Sequence, residues 1–125
     1  MSPNITVAVP VLDERGTLEE LHQRVTEVLR EMGASYEILF VDDGSVDGSR
    51  DVLRTLADAD PAVGVVRFRR NFGKSAALHA AFRRARGEIV ITMDADLQDD
   101  PSEIPRLLAK LEEDDLDLVS GWKKK

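Results

Sequence analysis

Short runs of β-branched and aliphatic residues alternate along this chain with longer stretches whose apolar positions recur every three or four residues. The first run, Ile5–Val11, is continuous enough to predict a strand buried on both faces. After a turn at residues 13–16, Leu18, Leu21, Val25, Val28, Leu29 and Met32 fall on one face of a helix. Thr17 and Glu20 have capping-box spacing at its start, and Gly33 suits the position just past its end. The alternation then repeats. Residues 36–41 predict a second strand, Val52, Leu53 and Leu56 a second helix, and residues 63–68 a third strand. An alanine-rich helix over residues 75–86 stops at Gly87, and a fourth strand covers residues 88–93. Pro101 opens a helix with Ile104, Leu107, Leu108 and Leu111 facing inward, and residues 117–120 predict a fifth strand.

Strands alternating with helices predict one α/β domain over residues 1–125, an α/β/α sandwich around a mostly parallel central sheet. Right-handed crossovers place every strand-to-helix loop at one sheet edge, outside which ligands of such sheets bind. Composition changes this picture little: 42% hydrophobic and 33% charged residues are an ordinary globular balance. A net charge of −7 argues against a surface that coats nucleic acid, but one polyanionic ligand can still bind beside a local cation. The absence of cysteine excludes disulfides, thiolate catalysis and cysteine-bound zinc, and fits a reducing compartment. The first eleven residues lack a basic leader with an apolar run, and no stretch approaches the ~18 apolar residues of a membrane span.

All four inner loops carry chemistry-bearing residues. The fourth strand runs into Asp94-Ala95-Asp96-Leu97-Gln98. In extended backbone, residues two apart point the same way, so Asp94, Asp96 and Gln98 are expected to share one face. Two carboxylates and an amide oxygen are hard ligands, suited to Mg2+ or Mn2+. D-x-D alone is common by chance, and its place at the end of a buried strand is what favours a metal site over a solvated turn. After the second strand, Asp42, Asp43, Ser45 and Asp47 could accept hydrogen bonds from a base or a ribose, although a helix dipole alone accounts for Asp47. After the first, Pro10 is expected to stop or fray the strand, and Glu14 could grip a ribose. The loop Arg67-Phe68-Arg69-Arg70-Asn71-Phe72-Gly73-Lys74-Ser75 is a basic patch opening a helix, which suits phosphate. It is not a Walker A loop, because the leading glycine would fall at Phe68. No G-x-G-x-x-G follows any strand. His22 and His79 stand isolated and read as surface or packing residues; Trp122 reads as core or pocket wall, and the terminal lysines, residues 123–125, as a solvated chain end more readily than as a phosphate or lipid-headgroup contact.

Together, V-P-V-L-D-E from Val9, V-D-D-G-S-V-D-G from Val41, R-N-F-G-K-S-A-A-L from Arg70 and D-A-D-L-Q-D-D-P from Asp94 resemble family 2 glycosyltransferases. The branch they resemble is the polyprenyl-phosphate one, similar to dolichyl-phosphate mannosyltransferase. The resemblance covers nearly the whole chain and implies a GT-A fold with a nucleoside-diphosphate sugar donor, UDP- or GDP-linked. It implies that Pro10, Leu12 and Glu14 line the nucleoside pocket and that Asp43, with Asp42, holds base or ribose. Asp94 and Ala95 would contact the nucleotide, and Asp94, Asp96 and Gln98 would hold Mg2+ or Mn2+, with Asp96 in the catalytic role. Asp13 stands where the family has asparagine, a small departure. The implied reaction is an inverting transfer to a polyprenyl phosphate at the cytoplasmic face of a membrane. The family's chains continue past G-W-K-K-K into acceptor-binding segments, so a C-terminally truncated donor-binding portion is expected. A non-catalytic nucleotide- and metal-binding fragment is the alternative. A doubly wound signalling domain, which also binds Mg2+ at strand ends, fits the D-x-D-x-Q spacing less well.

Overall fold

A computed structural model describes residues 3–114; the strand expected over 117–120, Trp122 and residues 123–125 lie outside the described residues. The elements run β1 (Ile5–Val11), α1 (Leu18–Glu31), β2 (Tyr36–Asp42), α2 (Ser49–Ala59), β3 (Val63–Arg67), α3 (Lys74–Arg84) and β4 (Ile89–Thr92). A 3-10 turn at Pro101–Glu103 then leads into α4 (Ile104–Asp114). Among the described residues the sheet has four strands, ordered β3-β2-β1-β4, and every pairing is parallel.

Central β1 is buried on both sides, and its parity divides the core. Val7, Val9 and Val11, with Ile38, Phe40 and Ile91, pack under Leu18, Leu21, Val25 and Leu29 of α1, Leu53 of α2 and Ile104 of α4. On the opposite face Ala8 and Val41 meet Ala77 and Ala81 of α3. Alanines on both sides of that contact let α3 lie close over β1 and β2, which is why its alanine-rich stretch suffices as a helix face.

Two expectations about β1 and α1 need correcting. Pro10 does not end the strand: it pairs in register with Val41, and the ladder runs on to Val11↔Asp42. The reason is directional. Ala8, of the same parity as Pro10, accepts from Met93 on the β4 side, and β4 pairs no further than Ala8↔Thr92. The donor that proline lacks therefore points to a side where no ladder continues. Nor does the capping box form. Thr17 precedes α1 without a side-chain cap, its hydroxyl lying 2.5 Å from the Ala95 carbonyl oxygen, while Glu20 pairs with Arg24 one turn on.

At the amino edge of the sheet, Glu37 is buried in β2. Its Oε2 accepts from the Thr6 hydroxyl at 2.6 Å and the Arg86 N–H at 2.7 Å, and its Oε1 from Arg86 Nε at 3.2 Å. Burial alone would raise its pKa, but these donors outweigh it and hold the carboxyl below the ordinary glutamate range. A depressed pKa contributes stability above the unfolded value, and that stability is lost as pH falls through the folded one. Glu37→Gln should therefore cost about 1–3 kcal/mol in urea denaturation at pH 7. The gap to the unaltered protein should close as pH drops below about 4.3.

Candidate active site

The loops after β1, β2, β3 and β4 surround a cleft of about 420 Å³ lined by Pro10, Val11, Leu12, Glu14, Asp43, Asn71, Gly73, Lys74, Asp94, Ala95 and Asp96. Of the residues expected at the site, Pro10, Leu12, Glu14, Asp43, Asp94, Ala95 and Asp96 meet here; Asp42 and Gln98 do not line it.

The loops after β1 and β2 are laced into one unit. Asp13 N–H donates to Ser45 Oγ at 2.9 Å, and Val46 N–H returns to Asp13 Oδ1 at 2.8 Å. Glu14 N–H donates to Ser49 Oγ and Arg15 N–H to Asp47 Oδ2. Asp47 also takes the Ser49 N–H and hydroxyl, so it serves the turn and the start of α2. Asp42 is buried and its Oδ1 accepts from Ser45 N–H at 2.9 Å, closing the turn. Gly44 has φ +81°, and a Cβ there would run into the backbone of Arg70 and Asn71. Only glycine lets the second and third loops approach so closely.

Asp43 ties that third loop to the cleft. Its Oδ1 accepts from Phe72 N–H at 2.7 Å and its Oδ2 from Gly73 N–H at 3.0 Å, while its own N–H donates to the Val11 carbonyl at 2.8 Å. Asn71 Oδ1 shares the Gly73 N–H at 2.9 Å. The loop is braced further by Phe68 edge-on to Phe72, with the Arg70 guanidinium 4.7 Å from the Phe72 ring centre. So fixed, it delivers Lys74 at the first position of α3, with Nζ 2.7 Å from Asp94 Oδ1.

The acidic stretch has a different geometry from the one expected. β4 ends at Thr92, and Leu97 adopts a left-handed φ of +65°, so the chain turns instead of running on extended. Asp94 and Asp96 still both face the cleft, but strand alternation is not what aligns them. The Gln98 side chain is exposed, and its backbone N–H donates to Asp96 Oδ1 at 3.1 Å in a side-chain-closed turn. Behind the turn, buried Asp99 accepts the Asp94 N–H at 2.9 Å, and the Thr17 hydroxyl holds the Ala95 carbonyl. Burial first, and then the negative charges of Asp96, Asp47, Asp94 and Asp13, raise the Glu14 carboxyl above its ordinary range. Acidic groups thus crowd around Glu14.

Among the described residues, no three His, Cys, Asp or Glu side chains form a metal-holding group. Two carboxylates from one turn instead make a donor set that fits Mg2+ or Mn2+ completed by phosphate oxygens, and does not suit zinc. Val11, Asn71, Gly73 and Lys74 join the cleft without having been singled out individually from the sequence. The one signal for them was the basic, glycine-bearing loop opening a helix. The histidines stand apart: His22 Nε2 lies 2.8 Å from Asp60, tying α1 to the end of α2, and exposed His79 flanks a separate groove beside Phe68 and Arg83.

A parallel sheet whose carboxyl edge gathers acidic turns and one cationic loop around a single cleft defines a Rossmann-like domain of the GT-A kind. The glycosyl transferase family 2 profile matches residues 6–125, and the chain belongs to that family. The undecaprenyl-phosphate 4-deoxy-4-formamido-L-arabinose transferase of Pseudomonas paraeruginosa is 45% identical over 107 residues, 85% of this chain and 32% of that protein. Its counterpart in Salmonella paratyphi B is 41% identical over 110 residues, 87% of this chain and 34% of that protein. A mannosyltransferase from Pyrobaculum calidifontis, solved in complex with GDP-Man and Mn2+, superposes with a TM-score of 0.69 at 32% identity. That match covers 82% of this chain and 30% of the other. TarS of S. aureus shares the fold, with a TM-score of 0.66 at 19% identity over 88% of this chain and 32% of the TarS chain. The chain spans about a third of the length of the curated relatives it matches.

Because both Asp43 oxygens hold loop N–H groups, Asp43→Ala should loosen the third loop as well as alter the cleft. We expect a cost of about 1–3 kcal/mol in chemical denaturation, with faster hydrogen exchange at Phe72 and Gly73 than elsewhere in the domain. Unchanged exchange at those two amides would contradict the clamp.

Proposed function

We propose that this domain binds a nucleoside-diphosphate sugar, UDP- or GDP-linked, together with Mg2+ or Mn2+, and that the full-length protein transfers the sugar to a polyprenyl phosphate. The observation that carries the reading is the convergence of Asp94, Asp96, Glu14, Asp43 and Lys74 on one cleft at the carboxyl edge of a family 2 sheet. The 32%-identical mannosyltransferase with GDP-Man and Mn2+ supports the donor class and the ion. The undecaprenyl-phosphate transferases support a polyprenyl-phosphate acceptor, a lipid substrate that puts the whole protein's reaction at a membrane. Among the described residues, no helix is long and apolar enough to cross a membrane.

In this reading Pro10, Val11 and Leu12 form the wall against which the nucleoside lies, and Glu14 faces its ribose. Asp43 acts through the third loop, whose position it fixes. Asp94 and Asp96 hold the cation, which when bound would offset the charge on the departing diphosphate. Gln98 lies at the outer end of that turn and supports Asp96 through its N–H. The anionic acceptor phosphate attacks the anomeric carbon, the bond to the diphosphate breaks with inversion, and the nucleoside diphosphate leaves. Such an acceptor is already ionised near neutral pH, so the reaction has less need of a general base than transfer to a sugar hydroxyl.

Titration calorimetry with UDP, GDP and their sugars, with and without Mn2+, tests the assignment. Binding should require the metal, and Asp96→Ala should weaken it by at least ~10-fold, since even outer-shell changes at metal sites cost that much. Equal affinity in the variant, or no nucleotide binding at all, would overturn the reading.

A further inference from the structure

Lys74 and Asp94 form the ion pair that closes the third loop onto the fourth, and its two partners are not alike. The Asp94 side chain is 17% exposed and that of Lys74 52% exposed. Asp94 is also held from behind, its backbone N–H bonded to buried Asp99. Lys74 follows Gly73, whose N–H Asp43 and Asn71 share, so the bracing is of the backbone before it and not of its side chain. The ammonium therefore rides a flexible four-carbon stem with water on one side, while the carboxylate it touches stays fixed. Within the donor reading, on which this inference rests, that carboxylate is a cation ligand. An ammonium 2.7 Å from Asp94 Oδ1 occupies the same oxygen and repels a second cation there.

We infer that Lys74 is an exchangeable counter-ion. Paired with Asp94, it neutralises the carboxylate and disfavours a divalent cation binding alone. When a nucleoside diphosphate enters, Lys74 swings to a diphosphate oxygen, and Asp94 is left for the cation. Both partners of the original pair remain compensated throughout, so an acidic cleft can admit a polyanion. The exchange makes metal and nucleotide bind cooperatively, and each must tighten the other by the same factor.

Lys74→Met separates this role from simple support of the loop. Calorimetry would follow Mn2+ alone, UDP or GDP alone, and each in the presence of the other. In the variant, Mn2+ alone should bind about tenfold tighter and the nucleotide with Mn2+ about tenfold weaker, so that the coupling factor falls. A loosened loop would instead weaken both together, which would overturn the exchange. Arg83→Met removes the same charge from the far end of α3 and should change neither affinity more than about twofold. If it reproduced the opposite-signed shifts, a diffuse field would replace the specific pair. No nucleotide binding to the unaltered chain would overturn the donor reading and this inference with it. Normal binding with undiminished coupling in Lys74→Met would overturn this inference alone.

Discussion

The parallel ladder between β1 and β2 does not stop where the strands do. Past Val11↔Asp42, the Asp43 N–H still donates to the Val11 carbonyl, so the two loops leave the sheet joined. On the other side of β1 the ladder is shorter, because β4 pairs only as far as Ala8↔Thr92. Between that long edge and that short one, the backbone of β1 from Pro10 onward has a partner on one side only. The cleft opens there, and Pro10 can sit there because no donor is required of it. The turn that carries Asp94 and Asp96 fills the side from which β4 has withdrawn. One difference in strand length therefore makes both the wall and the floor of the site.

Around that opening, the acids divide into those that build and those that face the cavity. Asp42 and Asp47 spend their oxygens on turn and helix-start N–H groups, and Asp99 takes the N–H of Asp94. Asp43 lines the cleft, yet both its oxygens are committed to the third loop. Carboxylates that accept several backbone N–H groups are bound strongly and rigidly, as a scaffold requires. Glu14, Asp94 and Asp96 face the cavity, where burial first and then the neighbouring carboxylates raise the Glu14 pKa. An acidic cluster seen in a sequence is thus mostly framework.

The sequence made much of this legible, and the exceptions share a physical origin. The span of β1 was readable because burial on both faces leaves a nearly continuous apolar run, although Pro10 within it was expected to end the pairing. The loops that matter were readable because parallel topology sends them all to one edge. β4 was expected over residues 88–93 but pairs only over Ile89–Thr92, since a strand's length depends on its neighbour and not on its own composition. The alignment of Asp94, Asp96 and Gln98 rested on an extended backbone that the left-handed Leu97 breaks, and nothing in the sequence marks a leucine for that conformation. Thr17 had the spacing of a capping box, but a carbonyl 78 positions along the chain claimed its hydroxyl. Lys74 had local markers for phosphate and none for its partner, because the pair spans 20 positions and three loops must first be fixed.

The charge of the whole protein gives that lysine its importance. A chain of net charge −7, with Glu14, Asp43, Asp94 and Asp96 lining its cleft, repels the diphosphate it is proposed to hold. The acids cannot simply be dispensed with, since two of them are the cation's ligands in that reading. Fixed positive charge in their place would favour the phosphates but leave no site for a metal. A mobile ammonium at the helix start reconciles the two demands, because it compensates whichever anion is present. Its mobility is useful only if everything around it is rigid. The clamp at Asp43 and the brace at Asp99 provide that rigidity, one beneath the lysine and one behind the carboxylate.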